Sequence, residues 1–260
     1  MRTIAITNRK GGVGKSTTAV NLAHALALAG HRVLAIDCDN QHAGVTTWLS
    51  PLDQTGETDT AGELADALLD PKQIHKAITR SNAAGVKLVR GSSRTIEAER
   101  ELTTRGTISI TIKRFLKELE GDYDFVLLDC PPSLSGIVVS ALVVADEVLI
   151  PVTSRGMSLD AVVEVLDLIK EIVDGELRAN MPTIRTLVTE YDGRLNLAQA
   201  VREELVAQAS REGPLKIFRT IIRRNERLAE CYGARQSIFD VDPRANGAED
   251  YAALAAEVME

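Results

Sequence analysis

Two lysines, three glycines and two hydroxyl side chains fall within one stretch, Lys10-Gly11-Gly12-Val13-Gly14-Lys15-Ser16-Thr17. It lies between an apolar run (Ile4, Ala5, Ile6) and a helical pattern (Ala19, Leu22, Ala23, Leu26). A strand, a glycine-rich turn and a helix in that order gather backbone N–H groups and a helix N-terminus around one point, which is a site for phosphate. Gly11, Gly12 and Gly14 let the backbone bend tightly and approach the ligand. Lys15 then reaches the outer phosphates, and the Ser16 hydroxyl is placed to ligate Mg2+. The pattern G-x-x-x-x-G-K-[ST] calls for glycine at position 9, where Arg9 stands, and a second lysine, Lys10, occupies the mouth of the loop.

Acids arrive at the same place. The second apolar run ends in Asp37-Cys38-Asp39-Asn40-Gln41, and Phe125-Val126-Leu127-Leu128 ends in Asp129, followed by Cys130-Pro131-Pro132-Ser133. In an open parallel sheet the carboxyl ends of strands face the ligand crevice, so these aspartates come near the phosphate loop. Asp129 fits the Walker B pattern, whose carboxylate holds Mg2+, commonly through water. For Asp37 or Asp39 taken alone, a turn or helix-cap role is the alternative.

Short apolar runs alternating with longer helical patterns predict βαβ units: an α/β, doubly wound, mostly parallel sheet flanked by helices, with a P-loop NTPase fold. Strands are expected at 3–7, 32–37, 86–90, 125–129, 147–151, 184–189 and 218–222. Helices are expected at 17–28, 108–119, 135–144, 159–173, 197–209 and 248–258, with a short one at 63–69. Gly30 is suited to stop the first helix. Residues 51–59 read as a surface loop, and no repeat or long linker divides the chain, so residues 1–260 are expected to form a single domain.

The chain has 260 residues, is 45% apolar and 26% charged, and is only 3% aromatic, so the core must come from aliphatic residues. No apolar run approaches the length of a membrane span, and no signal peptide is evident, which predicts a cytoplasmic protein. The three cysteines, Cys38, Cys130 and Cys231, form no C-x-x-C pair; buried small residues are expected, with an Fe–S or zinc role as the alternative. Net charge is −7, which by itself speaks against nucleic acid. The charge is uneven, however: residues 216–235 carry six basic residues against two acids, and residues 236–260 one against six.

The K-G-G-x-G-K-[ST] loop resembles the deviant Walker A loop of the ParA/MinD ATPases. The likeness continues through Asp37-Cys38-Asp39-Asn40-Gln41, beside the family's D-x-D-P-Q, and through the D-x-P-P extension at Asp129. It continues further through 221–230 and 242–248, which look like I-P-R-N-x-R-L-x-E and D-P-x-S-x-G-A. Asn40 and Arg223 replace usual prolines, Ala245 a frequent serine, and Arg155 lies where relatives often carry an acid. The resemblance covers essentially the whole chain and is to the short, Soj-like partition proteins, without an additional N-terminal DNA-binding domain.

It implies ATP and Mg2+ as cofactors. Lys10, Lys15 and Asp39 would be catalytic: Asp39 orienting or activating the water, and Lys10 crossing to the nucleotide of a second subunit in an ATP-dependent sandwich homodimer. Ser16, Asp37 and Asp129 would serve the metal, and Arg224 and Asn225 the base and ribose. Arg194, Arg223, Arg224 and Arg227 would hold DNA without sequence preference, placing the protein on the nucleoid, and a ParB-like centromere-binding protein would stimulate hydrolysis. One alternative is a MinD-like membrane-cycling ATPase, disfavoured because 251–260 is acidic without a basic residue. The other is a ParA-type ATPase that positions a protein cargo.

Overall fold

A computed structural model describes residues 1–39, 44–49, 62–153, 160–193 and 215–260. Eight strands form one sheet: β1 (Arg2–Ile6), β2 (Val33–Asp37), β3 (Ile78–Arg80), β4 (Val86–Val89), β5 (Phe125–Asp129), β6 (Glu147–Thr153), β7 (Thr183–Tyr191) and β8 (Leu215–Arg223). Their order is β3-β4-β2-β5-β1-β6-β7-β8. All pairings are parallel except β3 with β4. β2 and β5 are buried at every residue, as strands covered on both faces must be. Sequence order reverses direction around β1, and at such a switch point the strand ends open into a crevice.

Each face of the sheet carries its own apolar layer. On one, helices Arg94–Thr104, Thr111–Lys117, Gly136–Val144 and Asp160–Asp174 contribute Leu102, Phe115, Val138 and Leu166. On the other, Lys15–Leu28 and Asn246–Met259 contribute Leu22, Leu26, Tyr251 and Leu254. The C-terminal helix is tied in by polar contacts as well: Glu257 accepts from the Arg219 and Thr220 amides of β8 at 2.8 and 2.9 Å. Among the described residues no helix is long and apolar enough to cross a membrane.

The expected strands are all present; β6, β7 and β8 run two to four residues longer, and β2 and β4 one residue shorter. Gly30 takes φ 93° and ends the first helix, its amide reaching the Ala27 carbonyl. The expected helix at 108–119 is broken, with a 3-10 turn at Ile108–Ile110 before Thr111–Lys117. There the Ile112 amide donates to the Ser140 hydroxyl rather than continuing a helical ladder. Several elements lacked a sequence signal, among them the short helices Val45–Leu49, Ile74–Ala77 and Ile238–Val241. β3 is only three residues long, Arg94–Thr104 buries a stripe of just Thr95, Ala98 and Leu102, and Glu226–Ala234 buries only Cys231. The expected loop at 51–59 and helix at 197–209 lie outside the described residues, as do Asn40, Arg155 and Arg194.

Candidate active site

The loop after β1 is built for an anion. Gly12 and Gly14 have φ of 72° and 88°, a left-handed conformation that side-chain-bearing residues resist. The first helix begins at Lys15 with no side-chain cap and no acid in its first turn, leaving its N–H groups for a ligand. Two side chains hold the loop through three hydrogen bonds. Asn8 donates to the Pro151 carbonyl at 2.8 Å and accepts the Lys10 amide at 2.9 Å, while the Thr189 hydroxyl donates to the Val13 carbonyl at 3.0 Å. Lys15 is buried and its ammonium donates to the Lys10 carbonyl at 3.3 Å. Burial lowers its pKa, with Asp129 and then Asp39 pulling it back up. Lys10 itself is exposed at the rim.

Asp37 and Asp129 are register partners at the ends of adjacent strands, so their carboxylates share one spot. Both are 1% exposed. Neither carboxylate oxygen of Asp129 has a hydrogen-bond partner of normal geometry. Its carboxyl is held well above the usual range, first by burial and then by the Asp37 charge, with the nearby Ser16 hydroxyl and Lys15 opposing. Asp37 accepts the Asp39 amide at 3.0 Å and the Thr46 amide at 2.6 Å, yet burial still raises its pKa to about 6. Buried acids at this cost need a cation. Two carboxylates and a hydroxyl are hard oxygen donors, which suit Mg2+.

Glycine is required around Asp37 for space. A Cβ at Gly91 would stand 2.6 Å from the Asp37 carbonyl oxygen and 2.9 Å from that of Asp39, and one at Gly44 would stand 2.8 Å from an Asp37 carboxylate oxygen. The Gly91 amide also donates to the Thr46 hydroxyl at 2.9 Å. Gly91→Ala is therefore expected to displace both aspartates, costing about 1–3 kcal/mol of stability and slowing turnover. Thermal unfolding and an ATPase assay check this; a variant unchanged in both would show the backbone there to be free to yield.

Beside the loop, Gly14, Thr17, Thr189, Asn225 and Tyr251 line a cavity of about 300 Å3, with Arg224 at its edge. Glu190, also on its wall, holds φ 50° without being glycine. Asn225 caps the helix Glu226–Ala234, its carbonyl oxygen accepting the Arg227 amide at 2.9 Å, which leaves its amide nitrogen and one oxygen lone pair for a ligand. The three described arginines differ sharply. Arg223 pairs with Asp250 at 2.7 Å and Glu249 at 2.8 Å, which raises its pKa. Arg227 pairs with Glu230 at 2.7 Å. Arg224 is exposed with no ion pair among the described residues.

The structure thus brings together Lys10 to Thr17, Asp37, Asp39 and Asp129, with Arg224 and Asn225 at the neighbouring cavity. It adds Asn8, Thr46, Gly91 and Thr189, which sequence reasoning missed. Of these, only Gly91, directly after an apolar strand, carried a signal. The cysteines are buried, and burial pushes the Cys38, Cys130 and Cys231 thiols up, away from the thiolate that a cluster or zinc needs.

Comparison with known proteins agrees with this geometry. A family model described as an AAA domain matches residues 1–183. The sporulation initiation inhibitor protein Soj of Bacillus subtilis is 35% identical over 98% of this chain and 97% of its own length. The chromosome-partitioning ATPase Soj of Thermus thermophilus is 37% identical over 100% of this chain and 96% of its own. Among solved structures, one described as cobyrinic acid a,c-diamide synthase of Mycobacterium smegmatis, bound to an ATP analogue and magnesium, superposes with a TM-score of 0.82 at 25% identity, covering 100% of this chain and 94% of that one. A deviant phosphate loop, a Walker B acid at the matching strand end and full-length likeness to these ATPases coincide in one chain, which belongs to the ParA/MinD family of P-loop ATPases, among its Soj/ParA chromosome-partitioning members.

Proposed function

We propose that residues 1–260 form one ATPase domain that binds Mg2+ and ATP, closes into a sandwich dimer, and in that state holds DNA without reading its sequence. A ParB-like centromere-binding partner stimulates hydrolysis and release, so that the protein works on the nucleoid. The observation that carries the nucleotide site is Asp129, buried with no hydrogen bond of normal geometry among the described residues, near an uncapped helix start and next to Lys15 and Ser16.

The roles follow from placement. The loop amides and Lys15 bind the outer phosphates, releasing Lys15 from its carbonyl contact with Lys10. Ser16, Asp37 and Asp129 hold Mg2+, which supplies charge neutralisation on the phosphates. Asp39, half-buried beside Asp37, orients the attacking water. Lys10, exposed at the rim, meets the charge that develops on the partner subunit's nucleotide. The two core layers on one continuous sheet support a single domain.

For DNA, the acid-paired Arg223 and Arg227 must exchange carboxylates for phosphates, whereas Arg224 has none to give up among the described residues. Phosphate contacts give affinity that falls with salt by about 0.9 per contact on a log–log plot. Binding of a random-sequence duplex, followed by fluorescence anisotropy across a salt series, is expected with ATP and absent with ADP or no nucleotide. Arg224→Ala should weaken it and flatten the salt slope. A wild type that ignored DNA in every nucleotide state at low salt would overturn the partition reading.

A further inference from the structure

The longest run of basic residues uninterrupted by an acid lies outside the site described above. Between Pro71 and Ile96 there are six basic residues, Lys72, Lys76, Arg80, Lys87, Arg90 and Arg94, and no acid. Two are accounted for locally: Arg94 pairs with Asp66 and Glu63, and Arg90 is half-buried behind the strand ends. Lys72, Lys76, Arg80 and Lys87 are exposed with no ion pair among the described residues. Among the described residues Asp70 borders them, its carboxylate accepting from the Lys72 amide and the Gln73 side chain and feeling the charges of Lys72 and Lys76.

Arg80 and Lys87 are cross-strand partners in the antiparallel β3–β4 pair at the edge of the sheet. Like charges directly opposite on one strand pair repel and destabilise it. Nothing in the fold demands them there, since the buried partners Thr79 and Leu88 already set the register. The turn that follows β3 leads straight to the C-terminal basic segment: the Asn82 side chain donates to the Arg235 carbonyl, and the Asn82 amide to the Leu49 carbonyl. Arg235 ends the helix Glu226–Ala234, whose start carries Arg224 and Arg227. That helix spans about 13 Å at 1.5 Å per residue. That helix packs on the sheet face of Val86 and Leu88, whereas Lys87 and Arg80 alternate onto the face of Val89, so the β3–β4 edge and Arg224 lie on different surfaces of the molecule.

We propose that the β3–β4 edge, through Lys76, Arg80 and Lys87, is a second phosphate-backbone contact, separate from the one at Arg224. The residues interleaved here are the exposed His75, Asn82, Ala84 and Gly85 and the half-buried Gln73 and Ser81, without Phe, Tyr or Trp to stack on bases or an apolar ridge to enter a membrane. Contacts of this kind position a duplex and read no sequence. Two contact zones on each subunit let a dimer engage phosphates over a longer stretch, or on two duplexes, than Arg224 reaches alone.

The inference rests on the DNA-binding reading above, and its test separates the two. Anisotropy with a random-sequence duplex and ATP is measured from about 50 to 200 mM salt for wild type, Arg224→Ala and the triple variant Lys76→Ala, Arg80→Ala, Lys87→Ala. If all three side chains meet phosphate, the triple variant's salt slope falls by about 2–3 per subunit and its affinity by at least about 10-fold at the low-salt end. Its thermal midpoint should hold or rise, because a repulsive pair is gone, and its ATP affinity should stay at the wild-type value. A wild type that binds beside a triple variant with the same slope and affinity overturns this inference alone. Loss of binding to anionic vesicles of phosphatidylglycerol, with DNA binding intact, would assign the edge to a lipid surface and overturn it too. A wild type that never binds DNA removes both readings together.

Discussion

Lys10→Ala is expected to cut partner-stimulated ATP turnover by about 10^3-fold or more while changing nucleotide affinity only a few-fold. The asymmetry follows from where the two lysines stand. Lys15 is buried against Asp129 and Asp39 and is proposed to serve the nucleotide of its own subunit, whereas Lys10 is exposed at the rim, its backbone held by Asn8 and by Lys15. A cation delivered across an interface acts on charge that appears in the transition state, so its removal lowers turnover rather than affinity. Dimerisation should fail with it, so sedimentation velocity with ATP should show a monomer where wild type dimerises, and ATP-dependent DNA binding should disappear. Equilibrium binding of a fluorescent ATP analogue, sedimentation and phosphate release measured on the same preparations decide the matter. Equal loss of affinity and turnover would instead place Lys10 on its own subunit's phosphates.

The phosphate loop and its acids were legible because their chemistry is local: glycines that permit φ near 72–88°, and acids that end uninterrupted apolar strands. What was hidden arises from pairings distant in sequence. Thr189 reaches Val13 across 176 positions, and Gly91 matters only because β4 lies beside β2 and brings its backbone against Asp37. Asn225 read as a ligand contact from its motif, and the structure gives it a prior task as a helix cap. Likewise, six basic residues in 216–235 looked like one patch, yet Arg223, Arg227 and Arg219 are each held by acids from the C-terminal stretch or the same helix. Net charge along a chain does not reveal which charges the fold has already neutralised. The edge cluster at 71–96 is the reverse case, where the sequence carried the signal and the absence of a matching motif hid it.

Asp129→Asn is expected to make the metal-free protein more stable at neutral pH and to abolish most of the stabilisation that Mg2+ and ATP confer together. In the metal-free fold, Asp37 titrates at about 6 and Asp129 well above its usual range, both against about 3.9 when unfolded. A carboxyl whose folded pKa is raised binds more protons folded than unfolded, so its contribution to stability is complete below about 4 and is lost as pH rises through the folded value. For Asp37 alone the loss is on the order of 3 kcal/mol. The wild type without metal should therefore weaken relative to Asp129→Asn as pH climbs from about 5 to 8. Mg2+ prefers the ionised acids, so the thermal shift it produces with ATP should grow across that same window in wild type and stay small and flat in the variant. Calorimetry at pH 5, 6, 7 and 8, with and without the ligands, would show it. Parallel pH profiles for the two metal-free proteins would mean that the buried acids are already compensated by the protein, and the pressure on this site to take a cation would vanish with them.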